Sequence, residues 1–175
     1  MKDKIVVQIP CLNEESTIGD VITQFKNKIR NTEIIVYDND SKDKSVEISK
    51  KHGVKVVTVM KRGKGNVVKR MFSDDLDANF FIMIDGDNTY DVHNISKLMK
   101  IMKNGNYDML VAKRIHSDPL AYRRGHIVGN KFFSKFVNLI FGKDVTDIFS
   151  GYRIFTKRFV KTFPQTSNGF EIEAE

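Results

Sequence analysis

The sequence contains one cysteine, Cys11, only three prolines and no long apolar run. A single cysteine excludes an intramolecular disulfide, which favours a reducing compartment such as the cytosol. No segment approaches the roughly 18 consecutive apolar residues of a membrane span. The apolar run at the start of the chain is too short for a signal peptide. We therefore expect a cytoplasmic location.

The absence of linkers and repeats predicts a single domain over residues 1–175. With 41% hydrophobic and 29% charged residues, a chain of this length is large enough to bury a core of its own. Lysine and arginine outnumber aspartate and glutamate by 29 to 22, which gives a net charge of +7. This excess favours anionic partners such as phosphates, nucleic acid or an acidic lipid surface, but it does not select among them.

Short β-branched segments alternate along the chain with segments of helical periodicity. Strands are predicted over residues 4–9, 33–37, 54–60, 79–84 and 108–112. A helical segment is predicted to follow each of the first four strands, and the second of these helices, over 44–52, ends before Gly53. This alternation predicts an α/β, Rossmann-like fold, with a mostly parallel sheet and helices on both faces.

Three of the predicted strands end in acidic or amide residues, in the stretches N13-E-E15, D38-N-D40 and D85-G-D87. Ligands of open α/β sheets bind at the carboxyl ends of the strands. Two carboxylates separated by one glycine repel each other, and a divalent cation would relieve this repulsion by bridging them to phosphate oxygens. A solvated turn is the alternative, because Asp, Gly and Asn are ordinary turn residues.

The stretch R62-G-K-G65 is a second candidate for a phosphate site. Its glycines would let backbone N–H groups approach a phosphate, and Lys64 would add a positive charge. A flexible basic turn before a helix is the alternative. The stretch is not a Walker P-loop, and the absence of Gly-x-Gly-x-x-Gly after the first strand counts against a dinucleotide dehydrogenase. The four histidines have no paired spacing for zinc.

Taken together, five motifs resemble the family-2 inverting glycosyltransferases of GT-A fold. They occur in the order I9-P-C-L-N-E-E15, V36-Y-D-N-D-S-K-D43, R62-G-K-G65, M83-I-D-G-D87 and D147-I-F-S-G-Y-R153. The stretch G169-F-E-I-E173 resembles the branch of dolichyl-phosphate and other polyprenyl-phosphate sugar transferases. The resemblance spans residues 5–175. Relatives of this branch usually continue further, so we expect the chain to be truncated at its C-terminal end.

The resemblance implies a nucleotide-sugar site with an Asp-x-Asp motif. Residues implied in nucleotide-sugar binding are Pro10, Asn13, Glu14, Asp38, Lys64, Asp85, Gly86 and Asp87. Among these, Asp38 would contact the base or ribose and Lys64 would lie near the diphosphate. Asp85 and Asp87 would hold Mg²⁺ or Mn²⁺, with Asp87 the better candidate for direct coordination. Leu12, Asn39 and Asp40 depart from the commonest family pattern, which leaves both UDP and GDP sugars open.

The resemblance also implies residues for the acceptor and for catalysis. Arg114, Arg123 and Arg124 would contact the diphosphate or the lipid phosphate, since guanidinium groups match phosphate geometry. Asp147 stands at the position usually proposed as the base. A lipid monophosphate with a second pKa near ~6 is already largely a dianion at neutral pH, so its attack needs positioning more than deprotonation, and orienting an arginine or the sugar is an alternative role for Asp147. A helix or turn cap is a further alternative for Asp147.

The predicted function is transfer of a sugar from a UDP- or GDP-linked donor to a polyprenyl phosphate, at the cytosolic face of a membrane. Phenylalanines at helical spacing over 128–143 would face either the membrane interface or the core, and 113–125 would form a flap or substrate loop. The alternative, a sugar-1-phosphate nucleotidylyltransferase, requires a glycine-rich basic loop where P10-C-L-N-E-E15 stands. Nucleic acid is not an expected partner, because the acidic strand ends would repel its phosphates.

Overall fold

The computed structural model describes residues 3–30, 32–112 and 150–173. The strands in these ranges are β1 (Ile5–Cys11), β2 (Glu33–Asp38), β3 (Lys55–Thr58), β4 (Phe80–Met83), β5 (Met109–Val111) and β6 (Arg153–Thr156). The helices are α1 (Ile18–Lys28), α2 (Ser45–Lys51), α3 (Lys64–Ser73), α4 (Ile95–Asn104) and α5 (Lys157–Thr162), followed by a 3₁₀ helix over Phe170–Glu173. The predicted α/β fold with a mostly parallel sheet is confirmed.

The strands form one sheet in the order β3-β2-β1-β4-β6-β5. The first four in this order run parallel, whereas β6 runs antiparallel to both β4 and β5. The strand β6 was not predicted. Its two central residues, Ile154 and Phe155, are both buried but belong to the cores on opposite faces of the sheet. A four-residue strand buried on both faces shows no polar alternation, so its period cannot be read from the sequence.

A hydrophobic core covers each face of the sheet. On one face α1 and α4 pack on the strands, through Ile18, Val21, Ile22, Phe25, Ile95, Met99 and Met102. On the other face α3 and α5 contribute Val67, Val68, Met71, Phe72 and Val160. Neighbouring strand residues divide between the two cores, as Val6 and Val7 of β1 do. Each fully buried side chain of this size contributes about 1.5–3 kcal/mol, so the sheet is a rigid support for the loops at its edge.

The parallel strands β1, β2 and β4 all end at the same edge of the sheet. Cys11 pairs with Asp38, and Gln8 pairs with Met83, two residues before Asp85. Each loop that follows contains one non-glycine residue with left-handed backbone: Asn13 (φ 56), Asp40 (φ 61) and Asn88 (φ 58). Asn and Asp tolerate this conformation better than other side chains. The three loops are therefore sharp turns that bring their polar side chains together.

Candidate functional site

The loops after β1, β2 and β4 surround a cleft with a volume of about 470 Å³. Of the residues predicted for binding, the cleft is lined by Pro10, Glu14, Lys64, Asp85, Gly86 and Asp87. Asn39, Arg62 and Phe170, which were not predicted as site residues, also line it. The cleft is the place where the acidic strand ends and the basic stretch of the sequence meet.

Asp85 lies at the base of the cleft, paired with a lysine. Lys64, the first residue of α3, donates from Nζ to Asp85 Oδ1 at 2.6 Å and also to Oε1 of Glu173. The Lys64 side chain is only 10% exposed. Burial lowers the pKa of Lys64, but the charges of Asp85 and Glu173 outweigh this effect and the pKa is raised above 10.5. Lys64 therefore stays charged and neutralises part of the acidic cleft.

Asp87 lies at the mouth of the cleft and is exposed. Its Oδ1 accepts hydrogen bonds from the backbone N–H of Thr89 at 3.0 Å and from the Thr89 hydroxyl at 2.7 Å. These bonds form a local turn that fixes the carboxylate without an ion pair in the described residues. A cation or a polar ligand can therefore reach Asp87 from solvent.

Glu14 brings a third carboxylate to the cleft. A Cβ added at Gly86 would lie 3.4 Å from Glu14 Cγ, so Glu14 packs against the glycine between the two aspartates. Burial, and after it the negative charge of Asp87, raises the pKa of Glu14 above its ordinary 4.5. The accumulated negative charge is greater than Lys64 alone compensates, which is the electrostatic condition that a bound cation would relieve.

Two carboxylates of this kind fit a magnesium or manganese ion that takes its other ligands from a substrate. Mg²⁺ is commonly bound by one or two carboxylates plus substrate phosphates and water. In the described part of the chain, no three His, Cys, Asp or Glu side chains form a group that could hold a metal ion. Asp85 and Asp87 would therefore hold the ion together with a phosphorylated ligand.

Asn13 links the loop after β1 to the loop after β2 by hydrogen bonds. Its backbone N–H donates to Ser41 Oγ at 2.9 Å, and its side-chain Oδ1 accepts from the Lys42 N–H at 2.8 Å. The next residue, Glu14, donates its N–H to Ser45 Oγ at 2.7 Å. Asn13 is not among the residues that line the cleft. It supports the site by holding the loop after β1 against the loop after β2, and its predicted contact with a nucleotide stays a prediction.

Asp38, the last residue of β2, is 2% exposed and lies beneath the cleft surface. Its Oδ2 accepts from the Ser41 N–H at 3.2 Å, while Oδ1 is buried without a hydrogen-bond partner in the described residues. The neighbouring Asn39 lines the cleft instead. The predicted contact of Asp38 with a base or ribose stays a prediction.

Asn39 orders the basic loop that closes the cleft. Its Nδ2 donates to the carbonyls of Val59 at 2.7 Å and Lys61 at 2.9 Å, and its Oδ1 accepts from the Gly63 N–H at 2.9 Å. Asn39 thus places Arg62, whose guanidinium donates to the Asp40 carbonyl at 3.2 Å. The sequence placed Asn39 in the polar strand end D38-N-D40 and showed it as a departure from a family pattern, but not in contact with this loop. No local signal links it to a loop 20 residues further along.

Of the two interpretations of R62-G-K-G65, the contacts of its glycines favour the turn before a helix over a phosphate cradle, because the Gly63 N–H already donates to Asn39 Oδ1. The Gly65 N–H donates to the Gly169 carbonyl at 3.1 Å, and the Asn66 N–H donates to the Asn168 carbonyl at 3.2 Å. A Cβ at Gly65 would lie 2.6 Å from the Asn168 carbonyl carbon. The glycines therefore allow the backbone of residues 167–169 to pack on the start of α3, while Arg62, Gly63 and Lys64 line the cleft.

Pro10 and Cys11, at the end of β1, form the apolar wall of the cleft. Cys11 is only 3% exposed. Burial, partly offset by a hydrogen bond with Ser45, raises the pKa of the Cys11 thiol to about 12. The thiol is therefore protonated at neutral pH and contributes packing, not nucleophilic chemistry.

Several predicted residues lie outside the described ranges: Arg114, Arg123, Arg124 and Asp147, together with the segments 113–125 and 128–143. Their predicted roles stay predictions. Residues 150–153 of the same motif are described, and Gly151 packs against Asp85. A Cβ at Gly151 would overlap Asp85 Oδ2, and the Gly151 N–H donates to the Tyr90 hydroxyl at 2.6 Å.

None of the helices in the described ranges is both long enough and apolar enough to cross a bilayer.

Comparison with known sequences gives a family match. The family model described as "Glycosyl transferase family 2" matches residues 6–163. Protein RfbJ of Shigella flexneri is 41% identical over 123 residues, which cover 70% of this chain and 95% of RfbJ.

Two further relatives come from Haloferax volcanii. Glycosyltransferase AglJ is 33% identical over 174 residues, which cover 99% of this chain and 57% of AglJ. A dolichyl-phosphate hexose transferase is 25% identical over 166 residues, covering 95% of this chain and 72% of that protein. The chain thus spans little more than half the length of AglJ.

A solved structure with the same fold is glucosyl-3-phosphoglycerate synthase from Mycobacterium tuberculosis, crystallised with Mn²⁺, UDP and glucosyl-3-phosphoglycerate. It superposes with a TM-score of 0.79 at 22% identity, covering 98% of this chain and 63% of the synthase. At this identity the likeness shows the fold alone.

Proposed function

The chain belongs to glycosyl transferase family 2, and on that premise we propose that it transfers a sugar from a UDP- or GDP-linked donor to a polyprenyl phosphate, with inversion at the anomeric carbon. The observation that carries the proposal is the cleft in which Asp85, Asp87 and Glu14 face Lys64 and Arg62. It combines a carboxylate pair suited to a divalent cation with basic groups suited to a diphosphate.

The proposed reaction breaks the bond between the anomeric carbon and the donor's diphosphate oxygen. A phosphate oxygen of the acceptor supplies the electron pair for the new bond, and the nucleoside diphosphate leaves with the pair from the old one. When bound, Mg²⁺ or Mn²⁺ would neutralise the negative charge on the leaving diphosphate. Lys64, which lies beside Asp85 and is largely shielded from water, would act on the same charge.

Asp38 also supports the proposed binding of a nucleotide-sugar donor. A buried carboxylate oxygen without a partner costs about 1–3 kcal/mol. The Oδ1 atom of Asp38 is such an oxygen within the described residues. A donor N–H or hydroxyl that reached Asp38 would remove this cost, which supports the predicted contact with the base or ribose.

A polyprenyl-phosphate acceptor is supported by the relative named dolichyl-phosphate hexose transferase. The structural neighbour glucosyl-3-phosphoglycerate synthase was instead crystallised with phosphoglyceric acid. Both protein names include a phosphorylated compound, so a phosphate on the acceptor is common to the two. The experiment has to test whether that phosphate carries a lipid. A lipid acceptor would place the domain on the cytosolic face of a membrane, where a net charge of +7 favours anionic lipids.

The test is a transfer assay with the full-length protein in detergent. Labelled UDP-glucose, UDP-N-acetylglucosamine and GDP-mannose are each incubated with Mn²⁺ and either polyprenyl phosphate or 3-phosphoglycerate. We expect label to enter the lipid with one of the donors, and to stay in the aqueous phase with the Asp87→Asn variant. Label on 3-phosphoglycerate but not on lipid would overturn the acceptor, and label on neither would overturn the proposal.

A further inference from the structure

Lys64 is shared between two carboxylates that come from distant parts of the chain. Its ammonium group donates to Asp85, after β4, and to Glu173, at the end of the 3₁₀ helix. The side chains of Lys64, Asp85 and Glu173 are only 10%, 20% and 11% exposed. Since partly buried charges are costly without a partner, this arrangement ties the position of Lys64 to both carboxylates.

Glu173 is held in place from two sides. Arg153 of β6 donates from Nε to the Ser150 carbonyl at 2.9 Å and from its other end to the Glu173 carbonyl. On the opposite side, the segment before the 3₁₀ helix is pinned to α3, where Lys69 Nζ donates to the Thr166 carbonyl at 2.9 Å and to Asn168 Oδ1 at 2.8 Å. The carboxylate of Glu173 is therefore positioned by folded structure.

Glu173 lies behind Lys64 and not on the wall of the cleft. It lines a separate apolar cavity of about 90 Å³ under α3, together with Phe72, Phe155 and Phe159. The cleft is lined by Lys64 and Asp85 but not by Glu173. A ligand in the cleft would touch the lysine, while the glutamate would act only through it.

A cation in the cleft would affect the contact of Lys64 with Asp85 differently from its contact with Glu173. Asp85 Oδ1 accepts from Lys64 at 2.6 Å, so a divalent ion bound at the same oxygen would compete with the ammonium for it. Glu173 does not line the cleft, so a cation there would leave its contact with the Lys64 ammonium group in place. Lys64 would then remain at the cleft wall, held by one carboxylate, with its remaining N–H donors directed to a ligand.

We propose that Glu173 is a positioning residue of the donor site, which keeps Lys64 in place to meet the donor diphosphate where Asp85 would hold a cation. This inference rests on the proposed function, because it requires a cation and a diphosphate in the cleft. It does not depend on which acceptor receives the sugar.

The test compares UDP and uridine binding by calorimetry in the presence of Mn²⁺, with GDP and guanosine as the second pair of probes. In the Glu173→Gln variant we expect UDP affinity to fall about tenfold, the size of one charge-assisted hydrogen bond, and uridine affinity to stay unchanged. Loss of a negative charge near a polyanion would by itself strengthen UDP binding, so the sign of the effect separates positioning from simple charge removal.

Three further variants sharpen the test. Glu173→Asp keeps the charge and should lose less UDP affinity than Glu173→Gln. Combined with Lys64→Met, Glu173→Gln should add no further loss, because a positioning residue has no effect without the group that it positions. Glu171→Gln is the matched control in the same 3₁₀ helix, and its UDP affinity should equal that of the wild type.

The inference is overturned if Glu173→Gln binds the nucleoside diphosphate that the wild type prefers, UDP or GDP, as tightly as the wild type does. It is also overturned if that diphosphate and its nucleoside weaken by the same factor, which would indicate a general structural defect. A wild-type protein that binds UDP or GDP but glycosylates no lipid would refute the polyprenyl acceptor and leave the role of Glu173 standing. A wild type that binds neither nucleotide would overturn both.

Discussion

The carboxylate of Asp85 packs directly against Gly151. A Cβ on residue 151 would lie 2.6 Å from Asp85 Oδ1 and would overlap Oδ2. Gly151 is itself fixed by its hydrogen bond to the Tyr90 hydroxyl, at 2.6 Å. The segment just before β6 and the loop after β4 thus determine together where the first carboxylate of the Asp-x-Asp motif lies.

The first prediction concerns this contact. Gly151→Ala should displace the Asp85 side chain and lower the transfer rate by about a hundredfold, since an error of about 1 Å in a catalytic group has an effect of that size. The Mn²⁺-dependent part of UDP binding, measured by calorimetry, should weaken in parallel.

Gly86→Ala is the control for that variant. A Cβ at Gly86 would meet side-chain atoms and no backbone, with Ile18 Cδ1 at 3.3 Å, Glu14 Cγ at 3.4 Å and Glu14 Cβ at 3.6 Å as its nearest neighbours. This variant should retain most of its activity. Equal losses in the two variants would contradict the assigned role of the contact between Asp85 and Gly151.

The second prediction concerns the packing of residues 167–169 on α3. Gly65→Ala should place a methyl group against the Ser167 and Asn168 backbone, which cannot move aside as a side chain would. We expect a loss of about 1–3 kcal/mol in the free energy of unfolding, the usual cost of overpacking. Urea unfolding measures it, and faster proteolysis between residues 163 and 173 should accompany it. Unchanged stability would show that the glycine is not required for this contact.

The third prediction concerns pH. Glu14 titrates near 4.5 when unfolded and at a higher pKa in the folded protein. Between these values the folded state binds more protons, so the contribution of Glu14 to stability falls as the pH rises through that interval. Glu14→Gln cannot ionise and should remove this decline.

Urea unfolding at about pH 4 and about pH 7, without divalent cations, tests the sign. The free energy of unfolding of Glu14→Gln relative to the wild type should increase with pH. Added Mn²⁺ should reduce the difference at the higher pH, because a cation near Asp87 compensates the charge of Glu14. A difference that does not change with pH would contradict the raised pKa.

The sequence was sufficient for the alternating strands and helices as far as β5, because each has a local pattern of apolar residues. It was not sufficient for β6, whose four residues are buried on both faces. Its insertion between β4 and β5 depends on pairing such as that of Met83 with Arg153, which no local pattern encodes. The strand order at that edge of the sheet had to come from the structure.

The site divides in the same way. The carboxylates Asp85 and Asp87 could be identified from the sequence. Ligands bind at the carboxyl ends of parallel strands, and two neighbouring carboxylates repel each other unless a cation is bound. The role of the glycines near Lys64 stayed open between a phosphate cradle and a turn, because a glycine that contacts a phosphate and a glycine that contacts another backbone segment look alike in sequence. Glu173 was noticed only as part of a motif, since its contact with Lys64 joins residues 109 positions apart.

The central claim is that the Asp-x-Asp pair binds a divalent cation together with a donor diphosphate, and Asp87 offers a well-matched comparison. Asp87 Oδ1 accepts the N–H of Thr89 at 3.0 Å, and Asp91 Oδ1 accepts the N–H of His93 at 2.7 Å in a turn of the same kind. Asp87 lines the cleft, whereas Asp91 does not. Replacing either by asparagine should leave the unliganded melting temperature nearly unchanged.

The decisive measurement is the melting temperature of the wild type, Asp87→Asn and Asp91→Asn with UDP or GDP, each with and without Mn²⁺. A ligand that binds the native state raises the melting temperature. We predict a Mn²⁺-dependent rise with one of the nucleotides in the wild type and in Asp91→Asn, and its loss in Asp87→Asn. An equal rise in all three proteins would contradict the claim that Asp87 holds the cation.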